Sequence, residues 1–301
     1  MIRMPYFPGC TLKTNAKNYD QSIKAIFREL GIDLVELPRW NCCGAVFSLS
    51  SDDLLRQVAP ITNLLRTQEL EGTDSVDDPR LVVPCAMCFN VLKRANQRVR
   101  ENPEDLKKIN DFLYLEAQPY AGKVQIVHPI ELLMKFSRAE IEDKVRRPLK
   151  GLRVSLYYGC NLLRPKEVAI DNPEDPSVLE KITEMLGAEV VENPNRLRCC
   201  GSYQTVVDQR LVGDLVYDIV KGASRGGADL LITACPLCAF NLDFRQSDAS
   251  KSHSDHKQLP ILYFSELIAL AFGMKNSFGG EHFVNPAPLM ENFLKKEKGG
   301  I

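Results

Sequence analysis

The chain has 301 residues, 45% of them hydrophobic and 26% charged, with a formal net charge of −1. That length supports two globular units with proper cores, and the near-neutral balance gives no support for a nucleic-acid partner. No apolar run approaches the roughly 18 residues of a spanning helix, so no direct membrane span is expected, and Met1-Ile2-Arg3-Met4-Pro5 lacks the apolar core of a signal peptide. The expected location is cytoplasmic, with membrane attachment open only through another polypeptide of a complex.

Residues 4–7 are short, apolar and aromatic and read as a first strand; Pro8-Gly9 turns the chain and presents Cys10 at the strand's C-terminal end. Asn18 or Asp20 is expected to cap a helix in which Ile23, Ile26, Phe27 and Leu30 recur at three- and four-residue steps, and Gly31 stops it. A strand over 33–37 leads into Cys42-Cys43-Gly44. Ser51-Asp52-Asp53 starts a helix toward residue 71 that Pro60 kinks or divides. Residues 72–80 form an acidic surface loop. A buried strand over 81–83 ends at Pro84-Cys85, and a helix over 89–100 follows. A strand over 126–128 closes the first sheet, and a helix begins at Ile130.

The charged stretch 137–150 carries the connection, which divides the chain into units 1–145 and 146–301. The second unit repeats the order: strand 154–157, Gly159 turning to Cys160, helix 178–186, strand 188–192, Cys199-Cys200-Gly201, helix 211–224, strand 230–233, Ala234-Cys235, then a helix from Phe240. The Gly-, Lys- and Asn-rich tail after Phe272 is a loose arm or a docking segment for another polypeptide. Strands alternating with helices predict an α/β fold: two similar units with mostly parallel sheets, related by pseudo-twofold symmetry. Loops at the C-terminal ends of such strands are the usual place for a site.

All 10 cysteines fall into two sets. The first is Cys10, Cys42, Cys43, Cys85 and Cys88; the second is Cys160, Cys199, Cys200, Cys235 and Cys238. Each reads C, then CCG, then C-x2-C. The flanks repeat too. Leu30-Gly31-Ile32-Asp33-Leu34-Val35-Glu36 leads into the first CCG and Leu186-Gly187-Ala188-Glu189-Val190-Val191-Glu192 into the second. Ile130-Glu131-Leu132-Leu133 answers Ser265-Glu266-Leu267-Ile268.

Cysteine binds metals as thiolate, and five thiolates per unit exceed the four of a tetrahedral zinc ion. Adjacent cysteines diverge along an extended chain, which suits a cluster of several irons better than one small ion. The alternatives are zinc in one unit with a cysteine to spare, or ten buried or disulfide-bonded residues. An unexported chain favours ligands over disulfides.

With both sets in view, the chain resembles the catalytic B subunit of heterodisulfide reductases, and more widely the proteins with tandem cysteine-rich CCG domains. The resemblance runs from Tyr6 to about Ile268. It implies that each set binds a noncubane [4Fe-4S] cluster, two in all, and that a small disulfide substrate is reduced between them. The chain would then be an oxidoreductase acting on a sulfur group. Its implied partners are the small ferredoxin-like C subunit of such complexes, together with their flavin-containing A subunit. Other members of the wider family serve lactate, glycolate, glycerol-3-phosphate and succinate oxidoreductases, so the alternative is an electron-transfer subunit without its own substrate.

Further expectations attach to single residues. Gly44 and Gly201 let the backbone lie close to a cluster. The helices that follow each C-x2-C favour thiolate over thiol. His128 reads as a packed or capping histidine, and Glu131 and Glu266 as helix N-terminal charges or packing contacts. Lys13, Asn161, Arg164 and Lys166 follow the first cysteine of each unit, as an anion contact or a solvated rim. No nucleotide-binding glycine motif and no bacterial-ferredoxin cysteine run occurs, so electrons arrive from another polypeptide. Strand ends meeting along one edge predict a solvent-reachable pocket between the clusters, walled by residues next to Cys10, Cys43, Cys160 and Cys200.

Overall fold

The computed structural model describes residues 1–45, 53–70, 79–275 and 282–299. It contains two sheets of four strands, each entirely parallel, in the orders β2-β1-β3-β4 and β6-β5-β7-β8. The strands are β1 (Ile2–Tyr6), β2 (Ile32–Glu36), β3 (Arg80–Val82), β4 (Gln125–Val127), β5 (Arg153–Tyr157), β6 (Glu189–Val191), β7 (Leu230–Thr233) and β8 (Ile261–Tyr263). The identical order in both sheets is the duplication that the cysteine sets announce. The central strands carry apolar side chains on both faces, as parallel strands under helices do. Leu81, Val82, Leu230 and Leu231 are fully buried.

Helix Lys17–Glu29 buries Tyr19, Ile23, Ile26 and Phe27. Its N-cap is Ala16, without a side-chain cap, so the expected cap at Asn18 or Asp20 is corrected. Asn18 is taken up elsewhere: its Nδ2 donates to Glu266 Oε1 at 2.9 Å in the other half. Pro60 divides rather than kinks. A short 3₁₀ turn, Leu54–Gln57, precedes helix Val58–Glu69, and Pro60 falls in that helix's first turn, where its missing N–H is no loss. The proposed start at Ser51-Asp52 and most of the loop 72–80 lie outside the described residues.

The two C-x2-C helices start earlier than expected. Ala86–Glu101 and Pro236–Phe244 have Cys85 and Cys235 themselves as N-caps. Among the described residues, helices at Pro103–Phe112, at Arg138–Glu142 in the connecting stretch, at Gln246–Ser252 and at Ala287–Gly299 in the tail go beyond those expected.

The halves are joined by buried polar contacts. Helix Lys17–Glu29 packs on helix Phe264–Ala271, where Ser22 Oγ and Ser265 Oγ are 2.7 Å apart. Asn90 Nδ2 donates to the carbonyls of Asn161 and Arg164 at 2.9 and 2.7 Å, and Lys93 Nζ donates to the Val168 carbonyl at 3.2 Å. Each satisfied bond adds about 1 kcal/mol net, and losing one partner costs more, because the other is left dry.

Candidate metal centre

Every cysteine follows the C-terminal end of a parallel strand. Cys10 lies in a one-turn helix after β1, Cys42 and Cys43 follow β2, and Cys85 and Cys88 follow β3; the second half repeats this after β5, β6 and β7. The sulfurs of each half therefore gather on one edge of its sheet. All ten cysteines are free thiols. Cys43 Sγ and Cys88 Sγ are 3.2 Å apart, and Cys200 Sγ and Cys238 Sγ are 3.3 Å apart. The two edges meet at a common junction, where the carbonyls of Pro84 and Ala234, the residues before Cys85 and Cys235, lie 3.0 and 3.1 Å from one hydroxyl, that of Tyr19. Cys10, Cys42 and Cys199 are exposed at the rim, whereas Cys43, Cys85, Cys88, Cys200, Cys235 and Cys238 are buried.

The local electrostatics favour thiolate at selected positions. Hydrogen bonds from Cys42 and Cys88 hold Cys43 below the usual thiol range. Cys199 is lowered by Cys160 and Cys200, with the Gly201 and Ser202 N–H groups adding to this. Cys235 is lowered by Cys238 and Cys85, then by backbone N–H groups of Cys238 and Leu237 in the first turn of its helix. These are the helix-terminus donors expected at the C-x2-C motifs.

The backbone lies close to the sulfurs at Gly201, as expected, where its N–H donates to Cys199 Sγ at 3.3 Å, and also at two glycines that were not expected. Gly9 and Gly159 both have φ +68°, and a Cβ there would stand 3.1 Å from Cys88 Sγ and 3.4 Å from Cys238 Sγ. The Cβ side of Gly201 faces its own half's helix Gln209–Arg225, where a Cβ would meet Leu215 at 2.9 Å. Gly44 and Gly201 act as turn formers, at φ +73° and +77°. Among the described residues no three His, Cys, Asp or Glu side chains are grouped to hold a single metal ion. Two sets of five soft donors, each with a glycine where a side chain would crowd the sulfurs, suit a larger multi-iron group.

Around the sulfurs, sequence reasoning missed three residues. Met87, between Cys85 and Cys88, is buried, and its Sδ receives Asn161 Nδ2 at 3.6 Å and Tyr203 Oη at 3.3 Å. Tyr203, half-exposed, has its hydroxyl 3.3 Å from both Met87 Sδ and the Ala45 carbonyl, which share its one proton, and so ties the two CCG loops together on one side of the molecule. Tyr19 is fully buried, with its hydroxyl 3.0 Å from the Pro84 carbonyl and 3.1 Å from the Ala234 carbonyl. Only Tyr203 carried a signal, its place three positions after Cys200.

His128 is the N-cap of helix Pro129–Leu133. Its Nδ1 accepts from the Ile130 N–H, so Nε2 carries the proton toward the Pro84 carbonyl at 3.0 Å. Burial lowers its pKa to about 4, which keeps it neutral. Glu131 and Glu266 each close a capping box. Lys13 is paired with Glu36 at 2.8 Å and Arg164 with Glu174 at 3.2 Å, a rim of ion pairs.

Between the two CCG loops lie Met87, which is buried, and Tyr203, which is half-exposed. Two cavities of about 500 and 570 Å³ share Arg100 and Gln125 on the first half, and no cysteine lines either.

This arrangement defines a tandem α/β protein built on two cysteine-rich units. The cysteine-rich domain model named CCG matches residues 4–93 and again 154–243, so the chain belongs to that family. It is 32% identical to the 8-methylmenaquinol:fumarate reductase membrane anchor subunit of Wolinella succinogenes, covering 89% of this chain and 92% of that one. A protein of Archaeoglobus profundus, named as like the B subunit of heterodisulfide reductase, is 29% identical over 91% of each chain. The B subunit of the ferredoxin/F(420)H(2)-dependent CoB-CoM heterodisulfide reductase of Methanosarcina acetivorans is 27% identical over 91% of this chain and 90% of that one. A crystal structure of a hypothetical protein from Helicobacter pylori shares the fold, with a TM-score of 0.74 at 15% identity. That match covers 93% of this chain, which spans 51% of the other. Among the described residues no helix is long and apolar enough to cross a membrane.

Proposed function

We propose that the chain is the two-cluster iron–sulfur subunit of an oxidoreductase complex of the heterodisulfide reductase type, reducing a small disulfide with electrons from partner subunits. The observation that carries this reading is the meeting of the two five-cysteine edges at Tyr19, whose hydroxyl lies 3.0 and 3.1 Å from the carbonyls that precede Cys85 and Cys235. Cys10, Cys42, Cys43, Cys85 and Cys88 would hold one noncubane [4Fe-4S] cluster, and Cys160, Cys199, Cys200, Cys235 and Cys238 the other. The proposed units are 1–145 and 146–301. Bound there, the clusters would supply electrons singly, and two side by side match the two electrons that convert a disulfide and two protons into two thiols. Relatives named as heterodisulfide reductase subunits support the reaction class. The proposed partners are a ferredoxin-like C subunit, which feeds electrons in, together with a flavin-containing A subunit. The proposed location is cytoplasmic.

A second reading has its own support. In an electron-transfer subunit without a substrate, Met87 and Tyr203 stay in place between the CCG loops. The Wolinella relative, named for a fumarate reductase, belongs with that reading. The deciding experiment loads the protein anaerobically, reduces it, and offers small disulfides. Two thiols released per disulfide support reductase activity. Fully loaded, reduced protein that transfers electrons to a dye but leaves every disulfide intact sinks it.

A further inference from the structure

Pro84 and Ala234 occupy equivalent places, each one residue before the N-capping cysteine of a C-x2-C helix. Their carbonyls converge on a single hydroxyl. Tyr19 Oη lies 3.0 Å from one and 3.1 Å from the other. A phenol has one proton, so the two carbonyls share it. The His128 Nε2–H reaches one of the same carbonyls, that of Pro84, at 3.0 Å. The donors are held in place. The Tyr19 ring stacks on Tyr263 with centroids 4.1 Å apart and planes 10° apart, and His128 packs edge-on against Phe89 at 5.6 Å. Both side chains are fully buried.

A peptide unit is planar, so holding the Pro84 oxygen also orients the N–H of Cys85, and through it the start of the helix. The same holds for Ala234 and Cys235. If one carbonyl withdraws, the shared proton turns to the other.

We propose that Tyr19, assisted by His128, is a shared positioning residue that makes the two C-x2-C loops respond as one, so that a displacement at Cys85 is felt at Cys235. Resting on the reading that these cysteines hold clusters, the consequence is that the surroundings of both clusters depend on one side chain from the first half.

The test compares the full-length chain with Tyr19→Phe, which keeps the ring and its stacking. Tyr157→Phe is the control, because among the described residues the Tyr157 hydroxyl bonds the Arg198 carbonyl within the second half, at 2.6 Å. In Tyr19→Phe, amide exchange should quicken about fivefold in both 85–92 and 235–242, as expected for loss of one shared bond. In the anaerobically loaded protein, the electron paramagnetic resonance signals and midpoint potentials of both clusters should shift, whereas Tyr157→Phe shifts one. Exchange or signals altered in only one half, or in neither, overturn the proposal. If Tyr19→Phe does not fold, His128→Gln and His128→Leu decide the matter. The amide of glutamine should restore both halves together, and restoration of one alone overturns it. A wild-type chain that takes up no iron ends the cluster reading, while the exchange comparison still judges the clamp.

Discussion

Asn18 and Glu266 meet across the junction of the two halves, amide to carboxylate, at 2.9 Å. Glu266 is fully buried, and its second oxygen accepts the Tyr263 N–H at 2.9 Å, closing the cap of helix Phe264–Ala271. His282 Nε2 reaches the first oxygen from the tail at 3.3 Å. One carboxylate thus serves the first half, the second half and the C-terminal segment. Glu266→Ala strands three donors in a dry site and should cost about 3 kcal/mol, against about 1 kcal/mol for Glu266→Gln, which keeps acceptor oxygen. Chemical denaturation of the two variants measures the difference. Equal losses would mean that the carboxylate serves only to fill space.

His282 makes the tail's attachment depend on pH. Burial pushes its pKa down, but the hydrogen bond and charge of Glu266, with the charge of Asp243, outweigh this and leave it raised. A raised histidine contributes stability that is full below its unfolded pKa, about 6.5, and lost as pH rises through the higher folded value. Asp243 also accepts the Phe283 and Val284 N–H groups, each at 2.8 Å, so the same spot anchors the tail's backbone. Limited proteolysis at residues 282–294 should therefore quicken from mildly acidic to alkaline pH, and His282→Ala should flatten that dependence. A wild-type profile indifferent to pH would remove the histidine from this role.

Gly9 and Gly159 should be intolerant for two reasons. At φ +68° any side chain costs about 1 kcal/mol in backbone strain, and here the Cβ also crowds a cysteine sulfur. Gly31, at φ +83°, has nothing within 4 Å of an added Cβ and isolates the backbone cost. Alanine at 9 or 159 should lower iron uptake in its own half, and alanine at 31 should lower only the melting temperature. Iron uptake equal in all three variants would contradict the crowding argument.

Cys10 stands exposed, whereas Cys43, Cys85 and Cys88 of its set are buried. Cys10→Ser should reduce iron from about eight to about four per chain, because serine is a harder and far less acidic ligand. Iron and sulfide analysis of anaerobic protein reads this directly. Loss of all iron from a folded variant would show that loading of one half requires the other.

What the sequence revealed was local and periodic. The strands ending at Tyr6, Val82, Tyr157 and Thr233 could be placed because β-branched and aromatic runs stop at a cysteine or a turn. The helices at Pro103–Phe112 and Gln246–Ser252 are hard to read for a physical reason: the first turns only Leu106 and Ile109 to the core and the second buries only Gln246 and Ala249, so neither carries a long apolar stripe. Asn18 was misread as a cap because its partner, Glu266, lies 248 positions away. The sequence pointed to only some of the glycines: adjacency to CCG marked Gly201, whose N–H bonds Cys199 Sγ at 3.3 Å, while folding also brought Gly9 and Gly159 beside the sulfurs. Tyr19 looked like any other apolar-face residue of its helix, since nothing in the spacing says that its hydroxyl leaves the first half.

The near-equal distances from Tyr19 Oη to Pro84 and Ala234 place that oxygen close to the axis relating the halves. An atom on a twofold axis can be supplied only once. A homodimer of identical units would bring two tyrosines to a place that holds one, and steric exclusion would force the pair apart. Joining the duplicated units in a single polypeptide lifts that restriction: one copy keeps the central side chain, and the other is free to lose it. The covalent link between the halves is thus what allows the middle of the molecule to be asymmetric.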